Sequence, residues 1–272
     1  MKRRVFVRTF VLGTGMVMVR NYNVSSAGTD HGTILVKMIY NNTGNHPDFK
    51  KEWGLAMWIE DNKHAILFDT GGNPGTLWKN IQAAGIDLSK LSSIIISHNH
   101  WDHTRGIPLV LDKIAQNTVI YVPASDVPEI KNNTSLVTIK PVTGAQHIAE
   151  SVWSTGEMQG VLGGNIIYEQ SVMIVRDNLV YAFTGCAHPG IVPIIEKAKT
   201  LYPDKAIALA AGGFHLIDKS AEQIQEVSVK LKEMKVQNIA PSHCTGDKAI
   251  EFFRSEWKDR FFDFNIGDDY KI

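Results

Sequence analysis

One stretch of eight residues constrains this chain more than any other, because it places three histidines and an aspartate directly after a predicted strand. Its sequence is Ser-His-Asn-His-Trp-Asp-His-Thr, at residues 97–104. The preceding residues, 91–96, are apolar and β-branched and predict a buried strand, and the residues from Thr104 onward predict the start of a helix. The four side chains are therefore expected at a strand-to-helix corner, where functional residues of α/β proteins are usually found.

The spacing inside this stretch suits metal binding. His98 and His100 are two positions apart, so both rings can point the same way at the end of a strand. Asp102 and His103 follow and can turn back toward the same point. Imidazole and carboxylate suit zinc, manganese or iron, and two neighbouring ions need about this many ligands. The alternative, a surface cluster or a pair of hydrogen-bonded core histidines, is disfavoured because random placement gives this pattern on the order of once in a thousand chains.

Composition narrows the class of protein. The chain has 272 residues, enough for one large domain or two small ones with a sizeable core. Lysine plus arginine and aspartate plus glutamate number 28 each, and this balance argues against a broad nucleic-acid-binding surface. A small anionic substrate stays compatible with it, because such a ligand needs only a few local cations or helix ends.

The two cysteines, Cys186 and Cys244, each lie in a motif that also contains histidine. Two cysteines can pair as a disulfide. We favour free thiols near the metal site, because thiolate is a good zinc ligand.

Residues 1–27 resemble an export signal. Residues 2–4 give a basic start, residues 9–19 form a short apolar run, and residues 25–27 are small, as at a cleavage site. The apolar run is too short to cross a bilayer, so no stable membrane span is predicted. The arginine pair at 3–4 is similar to a twin-arginine signal, which predicts export to the periplasm. The alternative is a basic N-terminal strand of a cytoplasmic enzyme.

The rest of the chain alternates predicted strands and helices. Strands are predicted at 33–40, 54–60, 64–68, 118–122, 165–175, 179–184, 206–211 and 236–240. Helices are predicted at 75–85, 189–199, 220–234 and 246–257. Strands followed by helices, with functional residues at the strand ends, indicate a layered α/β fold.

Four further motifs accompany the histidine-rich stretch. They are Phe68-Asp69-Thr70-Gly71, Thr184-Gly185-Cys186-Ala187-His188-Pro189-Gly190, Gly212-Gly213-Phe214-His215-Leu216 and Ser242-His243-Cys244-Thr245-Gly246. With the H-x-H-x-D-H pattern they resemble the metallo-β-lactamase superfamily over residues 33–272. The last three resemble one branch, the proteins similar to 7,8-dihydropterin-6-methyl-4-(β-D-ribofuranosyl)aminobenzene 5′-phosphate synthase. The resemblance implies a four-layer αββα sandwich, with residues 28–272 as one domain.

The resemblance also implies a centre for two divalent metal ions. His98 and His100 would bind the first ion, and Asp102 and His103 the second. Zinc is the expected metal from the ligand types, with manganese or iron as alternatives. Oxygen-reducing di-iron relatives carry glutamate at the position of His100, so redox chemistry is disfavoured.

The later motifs imply the remaining ligands and their support. The family's later histidine ligands correspond to His188 and His243. Asp69 corresponds to a residue that supports the site by hydrogen-bonding its ligands or a tight turn. The alternative for Asp69 is a turn or cap without a role in the chemistry.

The chain departs from the family at one ligand. Most members carry Thr-Gly-Asp, whose aspartate bridges the ions, where this chain has Thr184-Gly185-Cys186. Either Cys186 takes the bridging place as a thiolate, or solvent alone bridges the ions and His188 fills in.

Three further residues are candidate substrate-binding residues. His215 is a ligand or a substrate contact. Thr245 and Gly246 open a predicted helix, so free backbone N–H groups there could hold a phosphate or a carboxylate. The alternative is simple helix capping by Thr245.

The leading hypothesis for function is a dinuclear metal-dependent hydrolase acting on a small ester or phosphoester. A bound divalent cation lowers the pKa of water and polarises the scissile bond, and Asp102 is the candidate catalytic residue that orients this water or accepts its proton. The first alternative is a transferase that joins a dihydropterin pyrophosphate to an aminobenzene ribofuranosyl phosphate. The second is a metal- or ligand-binding module without turnover. In each case the partner is a small molecule, and the sequence leaves the oligomeric state open.

Overall fold

The structure, a computed structural model, describes residues 32–61, 64–114, 118–132 and 138–272. The predicted export signal at residues 1–27 lies outside these ranges. Within them, no helix combines the length and the apolar character that crossing a bilayer requires.

The strands of the described chain are numbered β1 to β15. The first eight span Leu35–Tyr40, Ala56–Glu60, Ala65–Phe68, Leu91–Ile95, Val119–Pro123, Thr138–Val142, Gln146–Ala149 and Val152–Ser154. The other seven span Met158–Leu162, Asn165–Glu169, Val172–Arg176, Leu179–Thr184, Ala206–Gly213, Ile239–Ser242 and Asp269–Lys271. One sheet has the strand order β15-β1-β2-β3-β4-β5-β6, a second has the order β14-β13-β12-β11-β8-β7, and β9 pairs with β10.

The α-helices of the described chain are numbered α1 to α7. They span Pro74–Ala83, Trp101–Thr104, Ile107–Lys113, Val127–Asn132, Ile191–Leu201, Ala221–Glu233 and Asp247–Trp257. Ser220 caps α6 in a capping box with Gln223, and Pro74 stands in the first turn of α1.

Three apolar cores stack these elements into four layers. The central core lies between the two sheets, where Phe68 of β3 and Phe183 of β12 are fully buried. A second core packs α5, α6 and α7 against the outer face of the second sheet, and a third packs α1 and α3 against the outer face of the first. The predicted four-layer αββα sandwich is confirmed.

Burial on both faces explains the nearly continuous apolar sequence of the central strands. In β12, Tyr181 and Phe183 point into the central core, whereas Val180 and Ala182 point toward the helices. The period of two residues in a strand assigns these side chains to opposite faces.

The parallel strands bring the motifs to one edge of the sandwich. In the first sheet β3, β4 and β5 are parallel, and in the second sheet β12, β13 and β14 are parallel. Loops that follow the carboxyl ends of parallel strands meet at the same edge, where α/β proteins bind their ligands. The histidine-bearing motifs follow β4, β12, β13 and β14.

The predicted helix start at Thr104 is wrong, because α2 already spans Trp101–Thr104 with His100 as its N-cap. The backbone of His100 is extended, and its carbonyl oxygen accepts the N–H of His103 at 3.0 Å, so helical bonding begins there. Asp102 and His103 therefore leave the backbone in a helical turn.

The predicted strand at 165–175 is two strands that belong to different sheets, β10 and β11. The break includes Gln170, which is buried and whose N–H donates to the carbonyl oxygen of Ser97 at 2.9 Å. Its side-chain Nε2 donates to the carbonyl oxygens of Ile96 and Tyr121 at 2.8 and 3.2 Å. Gln170 thus ties this segment to the residues that follow β4 and to the middle of β5, which a continuous β-ladder would not allow.

Candidate metal centre

Three histidine rings meet beyond the end of β4. The Nε2 atom of His98 is 2.9 Å from Nδ1 of His100, and Nε2 of His188 is 3.2 Å from the same Nδ1. One ring nitrogen carries either one proton or one lone pair, so His100 Nδ1 cannot make a full hydrogen bond with both neighbours. Three imidazole nitrogens at these distances suit a single cation.

A second ligand group lies beside the first. Its members offer ligand atoms that all lie within 4.8 Å of one another, and they are Asp102, His103, Cys186 and His243. Oδ2 of Asp102 is 3.4 Å from Nε2 of His243 and 3.6 Å from Nε2 of His103. Nε2 of His243 is buried and has no hydrogen-bond partner among the described residues. An unpartnered ring nitrogen that faces a carboxylate fits the chemistry of a metal ligand.

The thiol of Cys186 lies between the two groups. Its Sγ atom is 3.2 Å from Nε2 of His103, and it also shares a possible metal group with His98 and His188. This position agrees with the predicted bridging place, and the bridging role itself stays a prediction. Burial raises the pKa of the Cys186 thiol, so an ion would have to displace its proton.

Asp69 orients two of these histidines, His103 directly and His98 through Ser97. Its Oδ1 accepts the N–H of Ser97 at 2.7 Å, and its Oδ2 lies 2.7 Å from both Ser97 Oγ and His103 Nδ1. A carboxylate only accepts, so the Ser97 hydroxyl donates to Asp69 and must itself accept from His98 Nδ1, 2.9 Å away. Both imidazoles therefore carry a proton on Nδ1 and turn Nε2 toward the centre, as metal-binding histidines do.

Asn42 performs the same task for His243, and sequence analysis missed it. Its Nδ2 donates to the backbone oxygen of His243 at 3.3 Å, which leaves its Oδ1 to accept from His243 Nδ1 at 2.7 Å. The two residues are 201 positions apart, and one asparagine in a polar loop gave no signal.

Glu169 is a second residue that sequence analysis missed. Its carboxylate is fully buried and accepts three consecutive backbone N–H groups, from Cys186, Ala187 and His188, at 2.9, 2.8 and 2.7 Å. Burial raises the pKa of Glu169 to about 7, against the lowering effect of these N–H groups. A glutamate within the apolar run 165–175 was the available signal. Its effect is to hold the loop that carries two candidate ligands.

Four residues of the site adopt the left-handed backbone region. They are Asp69, Ala187, His215 and His243, with φ between 51° and 60°. Aspartate and histidine adopt this region more readily than most residues, whereas Ala187 stores about 1 kcal/mol or more of strain. The packed loops thus impose the directions in which these side chains leave the backbone.

The first group of histidines is ready to bind a cation. Burial and the neighbouring histidines lower the pKa of His98 and of His100, and burial with the charge of His215 lowers that of His188 to about 3. All three rings are therefore neutral at neutral pH, the state in which imidazole binds metal.

The second group is strongly polarised. Burial opposes the charge on His103, but the adjacent Asp69 and Asp102 raise its pKa to about 9. Burial likewise opposes ionisation of Asp102, yet His243 and His103 hold its pKa well below the usual range. In the metal-free chain His103 is therefore protonated at neutral pH, and its positive charge balances part of the negative charge of Asp69 and Asp102.

The three candidate substrate residues lie at different depths. The His215 ring is 4.3 Å from that of His188, centroid to centroid. Thr245 is fully buried, and its Oγ1 accepts the N–H of Phe214 at 3.0 Å, so its hydroxyl is engaged within the protein. Gly246 is half-buried at the N-terminus of α7. Substrate binding by these three residues stays a prediction.

Aromatic and cationic side chains surround the approach to the centre. The Trp53 ring, 38% exposed, lies 5.0 Å from the ring of His243, centroid to centroid, and sequence analysis did not single it out. Next to His188 and His215, a cavity of about 450 Å³ extends between α5 and α6, with Lys219 at its rim. A small organic molecule could approach past Trp53 or through this cavity.

Residues 54–187 match the family model described as the metallo-beta-lactamase superfamily. The chain carries a domain of this superfamily. The match includes the H-x-H-x-D-H stretch and ends at Ala187, so the later candidate ligands His188 and His243 follow it.

Relatives and solved structures agree with this superfamily. The 7,8-dihydropterin-6-methyl-4-(β-D-ribofuranosyl)-aminobenzene-5′-phosphate synthase of Methanocaldococcus jannaschii is 27% identical over 268 residues, covering 82% of this chain and 91% of the relative. An uncharacterized protein of the same organism is 26% identical, covering 79% of this chain and 92% of the relative. A crystal structure of a metal-dependent hydrolase of the β-lactamase superfamily matches with a TM-score of 0.72 at 21% identity, covering 88% of this chain and 99% of the other. The structural likeness confirms the metallo-β-lactamase fold.

Proposed function

We propose that this chain is a metal-dependent hydrolase that uses two divalent ions on a small ester or phosphoester. Two sets of three buried or half-buried ligand side chains lie side by side and share the thiol of Cys186, and this arrangement supports the function most directly. The two sets are His98, His100, His188 and Asp102, His103, His243.

The donor atoms fit ions of the zinc type. Their chemistry is imidazole nitrogen, carboxylate oxygen and thiol sulfur, which zinc accepts together, and manganese and iron are the alternatives. Hydrogen bonds that three of the histidines donate from Nδ1 to Ser97, Asp69 and Asn42 turn their Nε2 atoms inward. Buried His243 Nε2 has no partner in the described part of the chain, which also favours a ligand role.

The protein side chains then have distinct tasks. When bound, the ions would supply Lewis acidity and lower the pKa of a water molecule. Asp102 would orient that water and accept its hydrogen bond, since its carboxylate stays ionised between His103 and His243. Asp69 and Asn42 would fix the direction of the histidine rings during turnover.

We propose an anionic small molecule as the substrate, held by one lysine of a cavity that two lysines and two glutamates line. The cavity beyond His215 has Lys219 and Lys230 at its rim, while its floor includes the apolar side chains of Phe214 and Leu216. Lys230 is paired with Glu226 at 2.8 Å, which leaves Lys219 as the better placed cation for a carboxylate or phosphate.

A transferase is the second candidate, because one relative is named a synthase. In that reaction a dihydropterin pyrophosphate and an aminobenzene ribofuranosyl phosphate would be joined, and the ions would stabilise the departing pyrophosphate. A binding module without turnover is the third candidate. Release of pyrophosphate that requires the aminobenzene acceptor would favour the transferase, and release of products by water alone would favour the hydrolase.

The first experiment combines elemental analysis with a substrate panel. We expect at least two metal ions per chain in the protein purified without chelators, and hydrolysis of at least one phosphoester, thioester or lactone. Asp102→Asn should lower kcat/KM roughly 100- to 10,000-fold. Asp112→Asn is the matched control, because Asp112 is an exposed carboxylate that pairs with Lys113 at the surface. Full activity after metal removal, or in Asp102→Asn, would exclude this function.

The basic and apolar segment at residues 1–27 supports a separate proposal, export through a twin-arginine-type route. The alternative is a cytoplasmic enzyme. Mass spectrometry of cell fractions distinguishes them, because export predicts a periplasmic form without the first residues, and an intact cytosolic chain contradicts it.

A further inference from the structure

A third group of candidate ligands lies next to the two sets described above. The ligand atoms of Cys186, His215 and Cys244 all lie within 4.8 Å of one another. Both cysteines are free and buried, with 4% and 3% of their surfaces exposed. Neither His215 nor Cys244 belongs to the ligand sets of the proposed hydrolase, so the hydrolytic function does not account for them.

The fold brings these three side chains together by a repeated arrangement. Each follows the end of a parallel strand by two residues: Cys186 after β12, His215 after β13 and Cys244 after β14. Adjacent parallel strands end at the same edge of the sheet, so the three positions are neighbours.

Local packing also brings the Cys244 thiol close to the backbone of Cys186. A Cβ atom at Gly213 would lie 2.6 Å from Sγ of Cys244 and 3.1 Å from Cα of Cys186, so only glycine allows this approach. The Cys244 thiol lies 3.4 Å from the carbonyl oxygen of Cys186. His215 holds a left-handed backbone, φ 51°, and its buried Nδ1 has no hydrogen-bond partner among the described residues. A histidine with an unpartnered ring nitrogen in the described part of the chain lies beside two free thiols, and this combination indicates a ligand-binding site.

The chemistry of the group differs from that of its neighbours. Two thiols and one imidazole form a softer donor set than three histidines or a carboxylate with two histidines. A Cys₂His set is a known zinc arrangement that leaves one coordination position open. His215 also lines the 450 Å³ cavity, so a molecule in the cavity reaches this side of the group.

We propose that Cys186, Cys244 and His215 form a third metal site, which takes a thiophilic ion such as zinc beside the two hydrolytic ions. Cys186 belongs to all three groups, so its sulfur would link the third ion to the hydrolytic pair. With three protein ligands, a zinc ion keeps one coordination position open, and this position could bind a sulfur- or oxygen-containing group of a substrate that lies in the cavity.

Cobalt titration of the metal-stripped full-length protein tests this site, because cobalt bound to thiolate gives an intense near-ultraviolet charge-transfer band. We expect wild-type protein to take up about three ions per chain and to show the band of two thiolates. Cys244→Ser should remove about one ion and about half of the band. His215→Ala should remove the same ion while both thiols remain, and its circular dichroism spectrum shows whether the variant folds. Ser242→Ala is the matched control, since Ser242 lies next to the loop and is no metal ligand.

The outcomes also separate this site from the proposed hydrolase. A Cys244→Ser protein with unchanged metal content and an unchanged band would overturn the third site, whatever its activity. Wild-type protein that binds an ion through both thiols but hydrolyses no substrate would support the third site and count against the hydrolase. The same measurement with zinc and elemental analysis gives the stoichiometry without any spectroscopic assumption.

Discussion

At the scale of single residues, hydrogen-bond partners decide what the histidines of the centre can do. Three of the rings receive a fixed partner at Nδ1, and these partners are Ser97, Asp69 and Asn42. Each partner commits Nδ1 to a proton and leaves Nε2 for an ion. The directions of the candidate ligands in this protein are therefore set by residues that hydrogen-bond to them and do not themselves face the ion.

Substitution of Asn42 tests whether these hydrogen-bond partners control metal affinity. Asn42→Ala removes the acceptor that lies 2.7 Å from His243 Nδ1, so the ring loses its fixed direction. We expect the affinity for the ion held by Asp102, His103 and His243 to fall roughly 10- to 100-fold. A competition titration of zinc against a chromophoric chelator measures it.

Asn45→Ala is the control for that change, because Asn45 is an exposed residue of the same loop whose side chain contacts Lys51. Equal zinc affinity in the two variants would show that His243 needs no orienting partner. Asn42→Asp keeps the acceptor and should retain most of the affinity.

At the scale of elements, the loop after β12 is organised around Glu169, a carboxylate that belongs to neither ligand set of the proposed hydrolase. The three N–H groups of residues 186–188 converge on the Glu169 carboxylate, and Gly160 of β9 packs so closely that a Cβ there would lie 2.3 Å from the backbone of His188. The segment from β9 to β10 therefore supports the loop that carries Cys186 and His188.

Glu169→Gln should loosen this loop. The amide keeps one oxygen acceptor but directs its NH₂ group at backbone N–H donors, so at least one buried hydrogen bond is lost. We expect the free energy of unfolding to fall by about 2 kcal/mol and metal affinity at His188 to fall with it. Urea unfolding and zinc titration measure both quantities.

Glu157→Gln is the comparison for that variant, since Glu157 accepts one N–H, from Ser125, in an exposed setting. A Glu169→Gln protein as stable as Glu157→Gln would mean that the loop does not depend on the buried carboxylate.

At the scale of the whole molecule, the pH dependence of stability follows from two raised pKa values. The pKa of His103 is about 9 in the metal-free native chain, above its usual 6.5, so its protonated form stabilises the fold below pH 6.5 and that contribution is lost as the pH rises through 9. The pKa of Glu169 is about 7, above its usual 4.5, so the native state also loses stability between pH 4.5 and 7. Both effects have the same sign.

The metal-free protein should therefore melt at a lower temperature at pH 9 than at pH 6, by roughly 5 °C. Metal binding needs the deprotonated ring of His103, so the stabilisation that zinc gives should grow over the same range. Thermal unfolding with and without a chelator measures both trends. His103→Gln should abolish the part of the slope above pH 7, where Glu169 no longer contributes, and an unchanged slope in this variant would refute the assignment.

The sequence was sufficient for the layered fold and for most of the cluster, because strands, helices and the motifs at their ends are encoded locally. The three histidine-bearing segments at residues 188, 215 and 243 follow parallel strands as predicted. Asn42 and Glu169 could not be predicted, since the contact of Asn42 spans 201 positions and Glu169 acts through backbone groups that have no sequence signature. The division of the strand at 165–175 could not be predicted for the same reason, because Gln170 donates hydrogen bonds to three carbonyl oxygens in and next to the first sheet.

Each of the two ligand sets of the proposed hydrolase draws two members from the segment that follows β4, in the first sheet, and one from a loop of the second sheet, His188 or His243. A bound ion would thus cross-link the two halves of the sandwich. Parting the sheets would then require breaking coordination bonds in addition to exposing the central core. We expect the ions both to raise equilibrium stability and to slow unfolding, so the lifetime of the protein under heat or protease would report how much metal it carries.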